Sequence, residues 1–286
     1  MKFGFFNFNM AYSIRPDDLA VALEQRGYDS LWLGEHTHIP VDQSTPYIID
    51  GDETPIPYAH IMDPFISLMA AASVTKNLKL ATGICLLIQR DPIVTAKEVA
   101  TLDVLSGGRV IFGIGGGWNV DEIENHGTPF KLRWKILRER VLAMKCLWTD
   151  EQAEFAGEFV NFGPLLSYPK PVQTPHPPVV LGTITKGGLQ HVVDYCDGWC
   201  PLDAQIDDFP TMISELHRRC AVAGRDPASI SIMIFAWGDP DEALLRSYYE
   251  MGVDTVILGA GRQDPDVKDA VLPFLDRYAD LVTELA

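Results

Sequence analysis

Apolar and polar positions follow a repeating pattern along this chain: a short hydrophobic run, then a longer stretch with apolar residues at helical spacing. Residues 2–8 form the first run. Residues 16–26 form the first helical stretch, with Pro16 in its opening turn and Gly27 as its stop. Residues 28–34 predict a second strand. Asp63-Pro64 opens a second helix that runs to about Thr75, with the Asp as cap and the Pro at the first helical position. A third strand is expected over 78–87. Asp91-Pro92 repeats the same start, and that helix runs to Leu105 and stops at Gly107-Gly108. Residues 109–119 then pass from a buried-strand run into Gly115-Gly116-Gly117, Trp118 and Asn119.

The alternation continues with helices over 131–148, 187–195, 208–223 and 240–251, and strands over 179–182, 198–201, 230–236 and 254–258. A last helix starts at about 266. Eight strands, each followed by a helix, predict an α/β fold of the (β/α)8 TIM-barrel type. The whole chain, 1–286, is expected to be a single domain with insertions at about 39–62 and 149–178. The first insertion is long, polar and Pro-containing, and connections of that length usually have a use. The second predicts a small hairpin at 155–162 and then a Pro-rich stretch, with too few apolar residues for its own core. Both are expected at the C-terminal strand ends, roofing a substrate pocket.

Composition narrows the partners. A net charge of −16 argues against nucleic acid or an anionic membrane as the main partner. No stretch is long and apolar enough to span a bilayer, and the first nine residues make a poor signal peptide, so a cytoplasmic location is expected. The five cysteines (85, 146, 196, 200 and 220) are an odd, scattered set that fits a reducing compartment. Cys196 and Cys200 lack the second Cys/His pair a zinc site needs.

A barrel of this kind carries its ligand site at the C-terminal ends of the strands. Those ends include Asn7 and Asn9, Glu35 and His36, Gly83 to Leu86, Gly115 to Asn119, Gly182 to Gly188, Cys200, Trp237 and Gly259-Ala260-Gly261. Glu35-His36-Thr37-His38 supports two chemistries. His-x-His can be a metal pair, but strands five and six end in Gly182 and Cys200 rather than further ligands. A single imidazole can instead stand over a bound ring as donor or general acid. A third option for His36 is a structural hydrogen bond at the strand terminus. Gly182-Thr183-Ile184-Thr185-Lys186-Gly187-Gly188 precedes a helix, and its N–H groups, hydroxyls and Lys186 could hold a phosphate. It is not a Walker A loop, and no Gly-x-Gly-x-x-Gly opens a Rossmann unit.

Several of these stretches together resemble the bacterial-luciferase-like superfamily, most closely its coenzyme F420-dependent branch. They are Ser30-Leu31-Trp32-Leu33-Gly34-Glu35-His36, Leu80-Ala81-Thr82-Gly83-Ile84, Gln89-Arg90-Asp91-Pro92, Lys97-Glu98-Val99-Ala100-Thr101-Leu102-Asp103, Leu105-Ser106-Gly107-Gly108-Arg109, Gly113 through Asn119, Glu124-Asn125-His126-Gly127 and Asp197-Gly198-Trp199. The resemblance implies a barrel, usually dimeric, that binds the deazaflavin F420 or FMN at the C-terminal strand ends. It implies hydride transfer with a small organic molecule. If reduced FMN is the cofactor, it implies oxygen activation, with a separate reductase as partner. By position His36 corresponds to the ring-facing histidine of the deazaflavin enzymes, and Gly83-Ile84 to a bulge under the ring that is often cis. With the strand-end positions, this gives His36, Glu35 and Trp118 as catalytic candidates. Asn7, Thr82, Gly83, Ile84, Gly115, Gly116, Gly117, Asn119, Gly182, Thr183, Thr185, Lys186 and Gly187 are the cofactor-binding candidates, and no metal is expected.

Two positions depart from the family pattern. Deazaflavin-dependent sugar-phosphate dehydrogenases have Glu where this chain has Trp118, so oxidation of sugar phosphates by that acid is not expected. Many relatives have Gly-Gly-x-Gly after the fifth strand, whereas Thr183, Ile184 and Thr185 intervene here. A flavin-binding protein without turnover and a metal-dependent hydrolase are the rival readings.

Overall fold

The computed structural model describes residues 1–47, 56–259 and 268–285. The chain begins with β1 (Lys2–Asn7), α1 (Pro16–Gln25), β2 (Ser30–Leu33), α2 (Pro64–Val74), β3 (Lys79–Thr82), α3 (Pro92–Ser106) and β4 (Val110–Gly115). It continues with α4 (Val120–Asn125), α5 (Arg133–Thr149), β5 (Ala153–Ala156), β6 (Asn161–Leu165), β7 (Val179–Gly182), α6 (Lys186–Tyr195) and β8 (Gly198–Trp199). It ends with α7 (Phe209–Ala223), β9 (Ser231–Trp237), α8 (Glu242–Glu250), β10 (Thr255–Gly259), α9 (Lys268–Arg277) and α10 (Ala279–Leu285). Strands β1, β10, β9, β8, β7, β4, β3 and β2 close in that order into a barrel, and every pair is parallel. The fold is a TIM barrel.

The helix starts follow their local chemistry. Asp63 accepts from the Ile66 N–H at 3.0 Å, with Pro64 as first helical residue of α2. Asp91 accepts from the Ile93 and Val94 N–H groups at 2.9 Å at the start of α3, and Gly107 ends that helix in the left-handed region. Strand side chains alternate between two cores. In β2, Leu31 and Leu33 face the surrounding helices, while Trp32 packs inside the barrel with Phe6, Ala81, Ile111, Val180, Met233 and Ile257. The inward Ser30 Oγ accepts from Trp32 Nε1 at 2.9 Å. A Cβ on Gly113 would stand 2.1 Å from the Thr82 carbonyl oxygen and 3.2 Å from the Trp32 ring, so only glycine lets β4 close on β3 around that indole.

Two expectations need correction. The third strand stops at Thr82 rather than reaching residue 87, because the chain turns out of the sheet at a cis Gly83-Ile84 peptide and rejoins only as a Cys85–Ile114 bridge. The hairpin expected at 155–162 forms, pairing Phe155 with Phe162, and its strands extend outward to Ala153 and Leu165 with a register shift between Ala153 and Phe155. The 149–178 segment does not stand at the C-terminal strand ends. It connects α5 to β7, and a helix-to-strand connection in this barrel returns to the N-terminal face. There Gln173 bonds Asp103 and the Val110 carbonyl, away from the ligand end. Ala260, Gly261 and the expected helix start at 266 lie outside the described residues, as do 48–55 of the first insertion.

Candidate active site

A cavity of about 490 Å³ opens at the C-terminal ends of the strands. That is within the usual range for a cofactor or small-molecule site. Glu35, His36, Gly83, Ile84, Gly116, Gly117, Trp118, Gly182, Thr183 and Thr185 line it, among the residues expected there. Asn7, Thr82, Gly115, Asn119, Lys186 and Gly187 are not in its described lining, and several have visible structural work. Asn7 Oδ1 accepts from the Asn9 N–H at 2.6 Å, where Asn9 takes a left-handed conformation. Thr82 Oγ1 donates to the Gly113 carbonyl at 2.7 Å. Asn119 caps α4 by accepting from the Glu122 N–H at 3.1 Å, and its amide donates to Gln43. Gly115 lies under Ile84: a Cβ there would meet Ile84 Cδ1 at 1.9 Å.

His36 lines the cavity. Its Nδ1 lies 2.7 Å from Glu122 Oε2, and both side chains are nearly buried. An ionised carboxylate can only accept, so Nδ1 carries a proton and Nε2 is the ring nitrogen left for chemistry. Nε2 has no hydrogen-bond partner among the described residues, and the ring faces the cavity between Tyr58 and Trp118, at centroid distances of 5.1 and 5.8 Å. Glu122 comes from α4, 86 residues away. Gly117, at φ +66°, turns the chain after β4 so that α4 starts over the site. Glu122 Oε1 is buried without a partner.

Glu35 does different work. Its Oε2 accepts from the Leu86 N–H at 2.6 Å and its Oε1 from Arg90. Arg90 also bonds Asp63 and Glu98 and lies over the Phe65 ring. Both Glu35 oxygens are thus committed to holding the segment after Gly83-Ile84 against the starts of α2 and α3. Glu35 is a positioning residue here, not an acid aimed at a substrate. His38 goes elsewhere as well: its Nε2 meets Asn125 at 3.1 Å and its Nδ1 meets Thr37 at 3.0 Å, while Thr37 also meets His126. His36 and His38 therefore do not converge on one point as a metal pair, and no group of three possible ligands occurs among the described residues.

Arg133 stands over the other end of the cavity. It is the first residue of α5, whose N-cap Leu132 offers no side-chain acceptor and whose first turn has no acid. A cation at the positive end of a helix is unfavourably placed on its own. Arg133 donates to the Phe130 carbonyl at 3.0 Å and lies 3.7 Å over the Phe130 ring, but its Nε is buried with no partner. Burial pushes the guanidinium below its ordinary pKa. An anion would relieve all of these. Beside it, Trp134 stacks on His191 at 5.2 Å, filling space that a Cβ on Gly116 would invade. Thr185 caps α6 by accepting from the Gly188 N–H at 3.0 Å. An apolar cavity lined by Ile84, with an arginine that has no carboxylate partner among the described residues, fits a planar heterocycle with an anionic tail.

Sequence reading missed Glu122, Arg133 and Tyr58. Asn119-x-x-Glu122 has capping-box spacing, and a basic residue opening an acid-free helix is a dipole mismatch; both were available as signals.

The sequence matches the family model described as luciferase-like monooxygenase over residues 15–278, and the chain belongs to that family. It is 39% identical over 272 residues to an uncharacterized protein of Mycobacterium tuberculosis, covering 93% of this chain and 94% of that one. It is 27% identical to the pyrimidine monooxygenase RutA of Allorhizobium ampelinum, over 69% of this chain and 56% of the other. It is 25% identical to an F420-dependent hydroxymycolic acid dehydrogenase of M. tuberculosis, over 80% and 60%. Its fold resembles that of an F420-dependent secondary alcohol dehydrogenase in complex with an F420–acetone adduct, with a TM-score of 0.74, 19% identity and 100% and 99% coverage. It also resembles the coenzyme F420-dependent tetrahydromethanopterin reductase of Methanopyrus kandleri, with a TM-score of 0.75, 16% identity and 99% and 98% coverage.

Proposed function

We propose that this protein is an F420-dependent oxidoreductase in which His36, held by Glu122, moves a proton at the substrate oxygen. The observation that carries the reading is the His36 Nδ1–Glu122 Oε2 pair, which commits one ring nitrogen and leaves Nε2 at an apolar cavity. Gly83, Ile84, Gly116 and Gly117 would hold the ring, with Arg133, Thr183 and Thr185 near the phosphate tail. When bound, the deazaflavin supplies hydride transfer at its carbon 5. His36 takes the hydroxyl proton when the substrate is an alcohol and returns it when the substrate is a carbonyl compound. The Glu122 carboxylate stabilises the imidazolium in between. Trp118 and Tyr58 keep water from the ring.

A second copy of the chain is the natural partner. Ile66, Val94 and Leu105 are 76%, 56% and 61% exposed on the outer faces of α2 and α3, which pack side by side. A helix as apolar as α2 is normally covered on all sides. The free cysteines fit a cytoplasmic setting. No described helix is long and apolar enough to cross a membrane.

The test is a fluorescence titration of the purified protein with F420 and, separately, with FMN. Micromolar F420 binding with weaker FMN binding is expected. The reverse preference would overturn the reading in favour of a monooxygenase supplied by a reductase. Binding of either cofactor without turnover of any reductant or substrate would leave a flavin-sequestering protein.

A further inference from the structure

We infer that the His36 end of the cavity selects a neutral, apolar molecule carrying a single oxygen function, and rejects anions and cations alike. The inference rests on the proposed function only in placing the cofactor tail towards Arg133.

The barrel order sets Phe8 and Trp237 apart from Arg133. Arg133 opens α5, the second helix after β4, and Trp134 reaches α6 after β7. In the ring of strands, β7 lies across from β1 and β4 across from β10. Phe8 follows β1 and Trp237 ends β9, and Tyr58 and Trp118 join them through ring contacts, although Trp118 follows β4 as Arg133 does. These rings support one another edge to face. Phe8 lies 5.1 Å from Tyr58 and 5.7 Å from Trp237, and Tyr58 lies 6.4 Å from Trp118.

The Tyr58 hydroxyl and the carboxylates at this aromatic wall are already committed. The Tyr58 hydroxyl is hydrogen-bonded to the Tyr47 hydroxyl at 2.7 Å. Glu35 is neutralised by Arg90, and both its oxygens are occupied. Glu122 is buried behind His36 and is not in the cavity lining. Nε2 of His36 as acceptor and the indole N–H groups of Trp118 and Trp237 as donors are therefore the polar atoms at hand, enough for one hydroxyl or carbonyl. A bound carboxylate or phosphate would find no lysine or arginine among these rings and would lie near Glu122 in a chain of net charge −16. A bound ammonium would gain about 0.5–2 kcal/mol from the aromatic faces but would find no uncommitted carboxylate. A charge taken out of water without a partner is costly, so both classes are disfavoured against a neutral molecule of the same shape.

Acetophenone, benzoate and benzylamine test this, titrated into the whole protein with and without saturating F420. Quenching of Trp118 and Trp237 is the readout. Acetophenone is expected to bind at least tenfold more tightly than either charged analogue. Phe8→Lys should narrow or invert its lead over benzoate, and if that variant does not fold, the native titrations decide. A charged analogue binding within threefold of acetophenone, or no binding by any of the three, overturns the inference. Failure to bind F420 would refute the proposed function separately, because the ranking of the three probes is read without cofactor as well.

Discussion

Replacing Glu122 with Gln isolates the charge behind His36. The amide keeps the carboxylate's shape, and its oxygen can still accept from Nδ1–H, now 2.7 Å away. What is lost is the negative charge that stabilises the imidazolium while the proton sits on Nε2. Hydrogen bonds to charged groups exceed neutral ones by about 1–2 kcal/mol. Unit charges about 4 Å apart at an effective dielectric of about 20 give an upper bound of about 4 kcal/mol. Taking about 2 kcal/mol, the expected loss is about 30-fold in kcat. Cofactor affinity should stay within about twofold, because Glu122 is not in the cavity lining. Stability should be unchanged or higher, since Oε1 is buried without a partner and the native carboxylate is a desolvated charge. The assay is turnover at saturating F420 with the neutral compound that binds best, alongside a cofactor titration and a melting curve. Turnover within threefold of the unmodified protein, in a folded variant that binds cofactor, would refute the role assigned to the pair.

Arg133→Gln should weaken F420 binding about tenfold or more, with little effect on a deazaflavin lacking the phosphate tail; equal losses for both would remove the anion role. Glu35→Ala should destabilise the fold by about 3 kcal/mol, because Arg90 loses its most buried partner and the Leu86 N–H its acceptor; chemical denaturation measures it. Ile66→Asp combined with Val94→Asp should convert a dimer to monomers in sedimentation, and an unchanged dimer would place the interface elsewhere. Burial holds His126, His176 and His191 below the ordinary histidine value of 6.5, with His38 adding to the effect on His126. The unfolded chain therefore takes up protons first as pH falls below that value. Stability should be fully present above about pH 6.5 and decline below it. A melting temperature flat between pH 7 and 5 would contradict that sign.

The sequence by itself determined the barrel. Asp-Pro helix starts, glycine stops and the switch between strand and helix spacing are local signals, and they recur in an order only a parallel closed sheet accommodates. It also placed His36, Trp118, Gly116, Thr183 and Thr185 at strand ends, and these do meet in one cavity. Only the tertiary structure decided what each side chain there faces. Glu35 and His36 are adjacent in sequence, yet one is tied to Arg90 and the other to Glu122, because consecutive residues leaving a strand point to different neighbours. The 149–178 segment was misplaced for a similar reason: its composition carries no record of which barrel face it occupies, whereas chain direction through α5 and β7 fixes it. Partners such as Glu122 and Arg133 come from helices after the same strand, and their approach depends on the turn at Gly117 and the order in which the strands close. Local spacing encodes the elements, but the chemistry is a contact between elements, and that is set by packing.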